Sequence, residues 1–262
     1  MDLHIKDKVF IVTGAAKGIG RGIVLQLASE GAISVLVGRN QQDNEKVKDE
    51  IQAIGGQCIC VEAELSNPVE TKKSVDAALK TYGRIDGIVN NAGQNDGIGL
   101  ENGSYEGFIE SYHKNVVHYY LTVQHALEAL KKSKGVILNI SSKTAETGQG
   151  GTSGYAASNG ARNALTREWA VELLPYGIRA NAIVVAECAT PQYDTWIKTL
   201  NNPEETLKEI TDRIPLENRM TTIEEIANTA VFLLSERSSH TTGQLIHVDG
   251  GYVHLDRALL KK

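Results

Sequence analysis

KVFIVTGAAKGIGRG, residues 8–22, carries the clearest structural signal in the chain. Its first six residues are almost all apolar and rich in β-branched side chains, which is typical of a strand buried on both faces of a sheet. Gly14, Gly18 and Gly20 then form the pattern G-x-x-x-G-x-G at the start of a helical stretch. Glycines let backbone N–H groups approach a pyrophosphate, and a helix N-terminus adds partial positive charge. The stretch therefore predicts a strand, a phosphate-binding loop and a helix in succession.

Similar apolar runs recur along the chain and are expected to form strands, at residues 8–13, 33–37, 57–62, 86–90, 135–141, 178–185 and 244–249. Helical patterns lie between these runs; the first covers residues 20–29, and Gly31 follows it at the position of a C′ residue. This alternation predicts an α/β fold, a doubly wound Rossmann-type parallel sheet of about seven strands with helices on both faces. No linker, low-complexity tract or charge run divides residues 1–262, so a single domain is expected.

The segment 186–222, between the sixth and seventh strands, is the least regular part of the chain. It contains several prolines and Trp196. A segment this long inside a compact domain is typical of a binding loop, so we expect it to be a substrate lid. The alternative interpretation is a surface excursion with small helices.

The composition argues against several classes of protein. The 262 residues are 41% hydrophobic and 23% charged, as in an ordinary soluble domain. The net charge of −5 and the lack of a basic face argue against nucleic-acid binding. No apolar run reaches the roughly 18 residues of a membrane-spanning helix. Cys58, Cys60 and Cys188 form neither a disulfide framework nor a zinc motif, so we expect a cytoplasmic protein without a metal, with Cys58 and Cys60 filling a strand.

The end of the second predicted strand bears on the choice of cofactor. An NAD-binding unit usually carries an acidic residue there, whereas this chain has Gly38, Arg39 and Asn40. Arg39 could bind a 2′-phosphate with its planar guanidinium, and Lys17 in the glycine loop could add a second positive charge. Two cations and no carboxylate predict a preference for NADP(H), with NAD(H) as the possible alternative.

Seven motifs together resemble the classical short-chain dehydrogenase/reductase family: TGAAKGIG (13–20), NNAG (90–93), Asn115 in HKNVVHYY, ISS (140–142), YAAS (155–158), RANAI (179–183) and TTGQLIHVDGG (241–251). The resemblance covers residues from about 5 to 255. It implies an oxidoreductase that uses a nicotinamide cofactor, commonly assembled as a homotetramer or homodimer.

The resemblance also implies roles for individual residues. Ser142 would hold the reacting oxygen of the substrate, and Tyr155 would be the acid/base. Asn115 would anchor a water in the proton path, and Thr190 would bind the nicotinamide carboxamide. The cofactor contacts implied are Gly14, Lys17, Gly18, Ile19, Gly20, Arg39, Glu64, Asn91, Ala92, Gly93, Tyr155, Asn159 and Thr190.

One departure from the family pattern concerns Asn159. The family has lysine at this position, four residues after the tyrosine and on the same helix face. Asn159 can donate an amide N–H to the ribose but carries no charge. We therefore expect Tyr155 to be a poor base at neutral pH, with oxidation rising at alkaline pH. Lys143, next to Ser142, could substitute, but a surface role is the simpler interpretation.

Polar residues around the expected pocket predict a hydroxyl-rich substrate: Asn95, Asp96, Gln149, Glu187 and Trp196. Glu187 replaces a proline-glycine pair that the family often has, and it could accept sugar hydroxyls; the alternative is that it faces solvent. Trp196 could stack on a sugar ring or belong to the core.

Three stretches, 141–158, 189–197 and 250–262, resemble the L-fucose dehydrogenase branch, whose members oxidise aldoses to lactones. His254 and Asp256 in the last stretch could instead serve subunit packing. Two other functions stay open: a 3-oxoacyl or steroid-type carbonyl reductase, and an inactive nucleotide-binding homologue or engineered variant.

Overall fold

The computed structural model of the protein describes residues 1–255. Its sheet has seven strands, all parallel, in the order β3-β2-β1-β4-β5-β6-β7. The strands are β1 (Val9–Thr13), β2 (Ile33–Gly38), β3 (Gln57–Glu62), β4 (Gly87–Asn90), β5 (Val136–Ser142), β6 (Arg179–Val185) and β7 (Leu245–Val248). The predicted α/β fold, with a doubly wound parallel sheet, is thus confirmed.

Nine α-helices connect and cover the strands of the described part: α1 (Gly18–Ser29), α2 (Gln41–Ala53), α3 (Pro68–Tyr82), α4 (Tyr105–Tyr112), α5 (His118–Ser133), α6 (Ser153–Glu172), α7 (Pro191–Ile197), α8 (Pro203–Thr211) and α9 (Ile223–Leu234). A π-helical turn, His113–Val117, joins α4 to α5. No helix among residues 1–255 is long and apolar enough to cross a membrane.

The hydrophobic core has two parts, one on each face of the sheet. One part packs α1 and α9 against the strands, with Leu27 and Ile226 completely buried. The other packs α3, α5 and α6, with Tyr119 and Trp169 among its buried aromatic residues. Covering both faces excludes water from the central strands, and all residues of β1 and β2 are buried.

The two outermost strands are less buried than predicted, since every apolar run was expected to be buried on both faces. Residues of β3 are mostly half-buried or exposed, and those of β7 are half-buried, because each of these strands lies at an edge of the sheet. Cys58 and Cys60 lie in β3 and pack against the core, as predicted. Burial raises the pKa of the Cys60 thiol to about 12, so the group is neutral.

The segment 186–222 forms α7 and α8 and no strand. Its two ends are held together, because the backbone N–H of Thr221 donates to the carbonyl of Glu187 (3.0 Å) and that of Ala189 donates to the carbonyl of Thr221 (3.0 Å). Between these ends, α8 contains no buried residue, whereas Ile197 and Ile214 on either side of it are buried. The segment is therefore a loop with a fixed base and an exposed tip.

Candidate active site

A cavity of about 770 Å³ opens at the carboxyl ends of the strands. Its wall includes the loop after β1, the ends of β2, β4, β5 and β6, and the start of α7. The cavity lies at the point where the strand order of the sheet reverses, because β2 and β3 lie on one side of β1 and β4 lies on the other. Open parallel sheets bind ligands at such a switch point.

The glycine loop after β1 has the conformation that a pyrophosphate requires. Gly14 and Gly18 have φ values of 66° and 55°, in the left-handed region where a side chain is strained. A Cβ at Gly20 would lie 2.6 Å from the side-chain amide of Asn91. Helix α1 begins at Gly18, so its N-terminus faces the cavity. The loop therefore fits the phosphates of a dinucleotide.

The residues after β4 hold this loop in place. Thr13 Oγ1 accepts hydrogen bonds from the backbone N–H groups of Asn91 (2.9 Å) and Ala92 (3.0 Å). The side-chain amide of Asn91 donates to the carbonyl of Thr13 (2.9 Å). The NNAG motif thus ties the end of β4 to the end of β1, and Asn91, Ala92 and Gly93 form part of the cavity wall.

The far end of the cavity carries both cations proposed to recognise a 2′-phosphate. Lys17 forms an ion pair with Asp43 (2.7 Å), and Arg39 lies 3.8 Å from Glu64. All four residues line the cavity. The expectation of no carboxylate here is wrong, because Asp43 reaches the site from the first turn of α2 rather than from the end of β2. Hydrogen bonds from Lys17 and then Lys46 lower the pKa of Asp43.

Two hydroxyl side chains, predicted to take part in the reaction, also line the cavity. Ser142 ends β5, and Tyr155 stands in the first turn of α6; both line the cavity together with Gly93 and Asn95. Ser142 Oγ accepts a hydrogen bond from the backbone N–H of Thr144 (3.3 Å), which holds the serine at the strand end. Thr190 lines the cavity next to the glycine loop, since a Cβ at Gly18 would lie 3.7 Å from its methyl group.

Asn115 and Asn159 lie behind this wall and are completely buried. Asn115 Oδ1 accepts from the backbone N–H of Gln94 (2.8 Å), and its amide donates to the carbonyl of Ser111 (3.0 Å). Asn159 Nδ2 donates to the carbonyl of Tyr155 (2.9 Å). Neither residue is in the cavity wall as the structure has it.

Sequence reasoning missed Arg162, which reaches the cavity from the same helix face as Tyr155 and Asn159. Its guanidinium donates to Asn159 Oδ1 (2.9 Å) and lies against the cavity wall. The signal was present in the sequence, because residues 155, 159 and 162 are spaced so that they share one face of a helix.

Of the five residues expected to bind substrate, only Asn95 lines the cavity. Asp96 accepts a hydrogen bond from Ser111 (3.0 Å), and Gln149 is in an exposed loop. Trp196 is 44% exposed and packs edge-on against Tyr193 in α7 (5.1 Å between ring centroids). The role of these residues toward a substrate stays a prediction.

Glu187 forms a buried ion pair with Lys143, beside Ser142. Only 9% of the Lys143 side chain and 12% of the Glu187 side chain are accessible. A surface role for Lys143 is therefore wrong, and so is the alternative that Glu187 faces solvent. The ring of Tyr252 packs on the Lys143 ammonium (4.1 Å). Burial and the nearby Glu187 carboxylate raise the pKa of Tyr193, which keeps that hydroxyl protonated.

A second group of side chains could ligate a metal. Donor atoms of Glu146, His247 and His254 all lie within 4.8 Å of one another. No sequence motif predicts this cluster, because its members come from a turn, from β7 and from the segment that follows β7. None of the three lines the cavity. Subunit packing by His254 stays a prediction, and Asp256 lies outside the described residues.

Comparison with known proteins agrees with this geometry. A model of the family described as Enoyl-(Acyl carrier protein) reductase matches residues 14–253. The L-xylulose reductase of Bos taurus is 35% identical over 257 residues, which cover 97% of this chain and 99% of that protein. The L-fucose dehydrogenase of Bos taurus is 33% identical over 252 residues, covering 96% and 91%. The crystal structure of Cj0485 dehydrogenase is 46% identical, covers 100% of both chains and has a TM-score of 0.94.

These similarities extend over nearly the whole chain and include the sheet, the glycine loop and the wall that carries Ser142 and Tyr155. They agree with the resemblance expected from the sequence motifs. The chain therefore belongs to the short-chain dehydrogenase/reductase family of oxidoreductases.

Proposed function

We propose that this protein is an NADP-dependent dehydrogenase that oxidises a sugar, an aldose such as L-fucose, to its lactone. The observation that carries the proposal is the position of Ser142 and Tyr155, which share one cavity wall with the glycine loop. A phosphate-binding loop and two hydroxyl groups in one cavity are the groups that a hydride transfer without a metal requires.

Different residues of the cavity wall would bind the cofactor and act on the substrate. A nicotinamide cofactor, when bound, supplies the hydride acceptor. The glycine loop and the N-terminus of α1 would hold its phosphates, and Thr190 would bind its carboxamide. Ser142 Oγ would donate a hydrogen bond to the reacting oxygen of the substrate. Tyr155 would accept the hydroxyl proton during oxidation and return it to the oxygen during reduction.

The polar surroundings of Ser142 favour a sugar over an acyl or steroid substrate. Asn95 lines the cavity, and Glu187 lies between two wall residues, Ala186 and Cys188. A sugar hydroxyl that reached Glu187 would find a carboxylate already held in place by Lys143. An apolar substrate would gain no hydrogen bond from these groups, whereas a hydroxyl-rich substrate could pair with them. The L-xylulose reductase and L-fucose dehydrogenase names of two relatives also support a sugar.

The pairing of the two cavity cations supports NADP. Lys17 is paired with Asp43 at 2.7 Å, whereas Glu64, the carboxylate that pairs with Arg39 in the described part of the chain, lies 3.8 Å away. Arg39 is thus the less tightly paired cation and can turn to a 2′-phosphate. A charge-assisted hydrogen bond contributes about 1.5–3 kcal/mol when it is well formed.

The cofactor preference is tested by titrating wild type and Arg39→Asp with NADPH and NADH and following cofactor fluorescence. Wild type should bind NADPH more tightly, and the variant should reverse the preference. Arg237→Asp, which replaces an exposed arginine in the turn after α9, is a matched control and should change neither affinity. Equal affinity of wild type for the two cofactors would contradict the NADP assignment.

The substrate class is tested with a panel of aldoses and a panel of 3-oxoacyl esters and cyclic ketones, each at several pH values. Oxidation of aldoses to lactones supports the proposal. Reduction of the ketones alone would favour the second candidate, a carbonyl reductase, which the description of the matching family model supports. Cofactor binding without any turnover would favour an inactive nucleotide-binding protein.

A further inference from the structure

Arg162 is a buried cation without a carboxylate partner. It is 3% exposed, and no ion pair joins it to an acidic side chain within residues 1–255. Nearly all buried charges in proteins are paired, because removing an unpaired charge from water is costly. An unpaired guanidinium on the wall of a cofactor cavity therefore calls for a functional explanation.

Neutral oxygen atoms hold the guanidinium in place. Nε donates to the carbonyl of Asn115 (2.7 Å), and Nη1 donates to the carbonyl of Ile140 (3.1 Å) and to Asn159 Oδ1 (2.9 Å). Nη2 has only a long contact to Asn115 Oδ1 (3.4 Å). These bonds fix the orientation of the side chain. The ring of Tyr119 also packs on the guanidinium (4.5 Å to the ring centroid) and partly offsets its burial, but no carboxylate of the described residues neutralises its charge.

Gly93 makes room for this arrangement. A Cβ at residue 93 would lie 2.6 Å from Arg162 Nη2 and 2.9 Å from Asn115 Oδ1. Gly93 is itself part of the cavity wall, so the guanidinium lies directly behind the surface that a cofactor would contact.

The same charge lies close to Tyr155. The guanidinium carbon is 5.9 Å from the centroid of the Tyr155 ring. A positive charge within about 4–6 Å of an acidic group favours the ionised form of that group. Asn159, which lies between the two residues on the helix, contributes no charge.

We propose that Arg162 supplies the positive charge that stabilises the ionised form of Tyr155, in place of the lysine that residue 159 lacks. The inference rests on the proposed acid–base role of Tyr155. In oxidation the O–H bond of the substrate would break and its proton would pass to the ionised Tyr155 oxygen; the C–H bond on the same carbon would break as well, and a nicotinamide cofactor, when bound, would supply the acceptor for that hydride. Arg162 exchanges no proton and acts through Tyr155. Asn159 alone predicts slow turnover at neutral pH. With Arg162 beside it, Tyr155 is instead expected to act as a base at neutral pH.

Other ionisable groups near Tyr155 do not account for such an effect. Burial, followed by the charge of Arg162, lowers the pKa of His118 to about 3, and burial raises the pKa of Tyr119 to about 12. Both groups therefore stay neutral between these values. The remaining charges nearby belong to two ion pairs, Lys143 with Glu187 and Lys114 with Glu110.

The test compares wild type with R162Q, which loses the charge but keeps an amide donor, and with R162K, which keeps the charge. R167Q removes an exposed arginine from the same helix and serves as the matched control. Two quantities are followed as the pH is raised from roughly 6 to 11, a range that extends below the ordinary pKa of histidine and above that of tyrosine. The first is the turnover with the best sugar. The second is the tyrosinate absorbance of Tyr155, obtained by subtracting the absorbance of the same variant carrying Y155F. NADPH affinity and thermal unfolding report whether each variant folds.

R162Q should lose about ten- to a hundredfold in turnover at pH 7, and both its pH–rate profile and its tyrosinate signal should move to higher pH by about one to two units. R162K and R167Q should resemble wild type in both readouts. A folded R162Q whose profile and tyrosinate signal coincide with those of wild type overturns the proposal.

A second variant, N159K/R162Q, moves the positive charge to residue 159, in case R162Q does not fold. It avoids placing two buried cations side by side, because Asn159 Oδ1 is a hydrogen-bond acceptor of the Arg162 guanidinium in wild type. If Arg162 supplies the charge in wild type, N159K/R162Q should have turnover at pH 7 within about tenfold of wild type, a difference of about 1.4 kcal/mol. A double variant more than tenfold faster than wild type would show that the charge is missing in wild type and would overturn the inference.

The outcome also separates this inference from the proposed function. If no sugar or ketone is turned over, the proposed function fails, but the tyrosinate signal of R162Q and wild type can still be compared. A shift of that signal without turnover supports the role of Arg162 in a protein with another substrate. Turnover with an unshifted signal supports the function and contradicts the role of Arg162.

Discussion

The sheet side of the cavity and the lid segment, residues 186–222, differ in how firmly they hold their side chains. On the sheet side, Asn115 and Asn159 are completely buried and Arg162 nearly so, and each makes at least two hydrogen bonds or contacts to its neighbours. In the lid segment, α8 buries no residue and Ile197 is the buried residue of α7.

The difference shows where the two tasks of the enzyme reside. A buried polar network that is fully paired is rigid, because breaking one member leaves the others without partners. Such a network can hold Tyr155 and the glycine loop within the narrow tolerances of proton and hydride transfer. An exposed segment with a fixed base can vary its side chains without disturbing this geometry. We therefore expect chemistry to depend on the sheet side and substrate choice to depend on the lid and its base.

The largest effect is expected on the sheet side at the acid/base itself. Tyr155→Phe removes the proton carrier and should lower turnover by about 10²–10⁴-fold. Affinity for NADPH should stay within a few-fold of wild type, because the glycine loop is untouched. Tyr120→Phe, at an exposed tyrosine of α5, is the matched control and should retain full activity. Substantial turnover by Tyr155→Phe at any pH would show that another group carries the proton.

Gly93→Ala should have the next largest effect, on both stability and turnover. The added methyl group would meet Arg162 Nη2 and Asn115 Oδ1, which are held by the network and have little room to move. Overpacking of this kind typically costs about 1–3 kcal/mol of folding free energy. Denaturant unfolding measures this loss, and turnover at pH 7 should fall with it.

Gly160→Ala provides the contrast within α6, because a Cβ there would meet no atom within 4 Å. Replacing glycine in the interior of a helix should stabilise the protein by about 0.5–1 kcal/mol. If Gly93→Ala proved as harmless as Gly160→Ala, the sheet side would be less rigid than the hydrogen bonds indicate.

The sequence predicted the sheet and the glycine loop because both depend on local pattern. Apolar runs identified all seven strands to within about one residue at each end. The position of Arg39 was also predictable from local sequence, because this residue directly follows β2. The burial of the edge strands β3 and β7 was predicted wrongly, because it depends on the order of strands in the whole sheet, which the periodicity of a single strand does not indicate.

Contacts between distant segments were the part that could not be predicted. Lys143 and Glu187 are 44 residues apart and meet because β5 and β6 are neighbours in register. Asp43 reaches the cavity from α2, and Asn115 meets Arg162 across 47 residues. Each pairing depends on how helices pack on the sheet, so residue type and spacing alone do not specify it.

A smaller effect is expected at the base of the lid. Glu187→Gln should weaken sugar binding, seen as a KM raised by about tenfold, while NADPH affinity stays unchanged, since one lost charge-assisted hydrogen bond is worth about 1.5–3 kcal/mol. The variant also leaves the Lys143 charge buried without its partner, so some loss of stability should accompany the change.

Glu217→Gln, at an exposed glutamate near the C-terminal end of the same segment, is the matched control and should change neither quantity. Unaltered sugar affinity in Glu187→Gln would contradict the assignment of Glu187 to substrate binding and leave it the structural role of pairing with Lys143.

The smallest effect is expected from removing metal ions. Glu146, His247 and His254 could hold a divalent cation, but none of them lines the cavity that contains Ser142 and Tyr155. His247 Nε2 already lies 2.9 Å from a Glu146 carboxylate oxygen, so the group has a hydrogen-bonded arrangement that needs no ion. The two hydroxyl groups of the cavity can polarise a carbonyl and deliver a proton by themselves. Dialysis against EDTA should therefore leave turnover unchanged when it is measured with saturating NADP and the best sugar. A loss of activity that Zn²⁺ or Mg²⁺ restores in wild type, but not in His247→Asn, would show that the cluster is coupled to the cavity after all, through β7 and its neighbour β6.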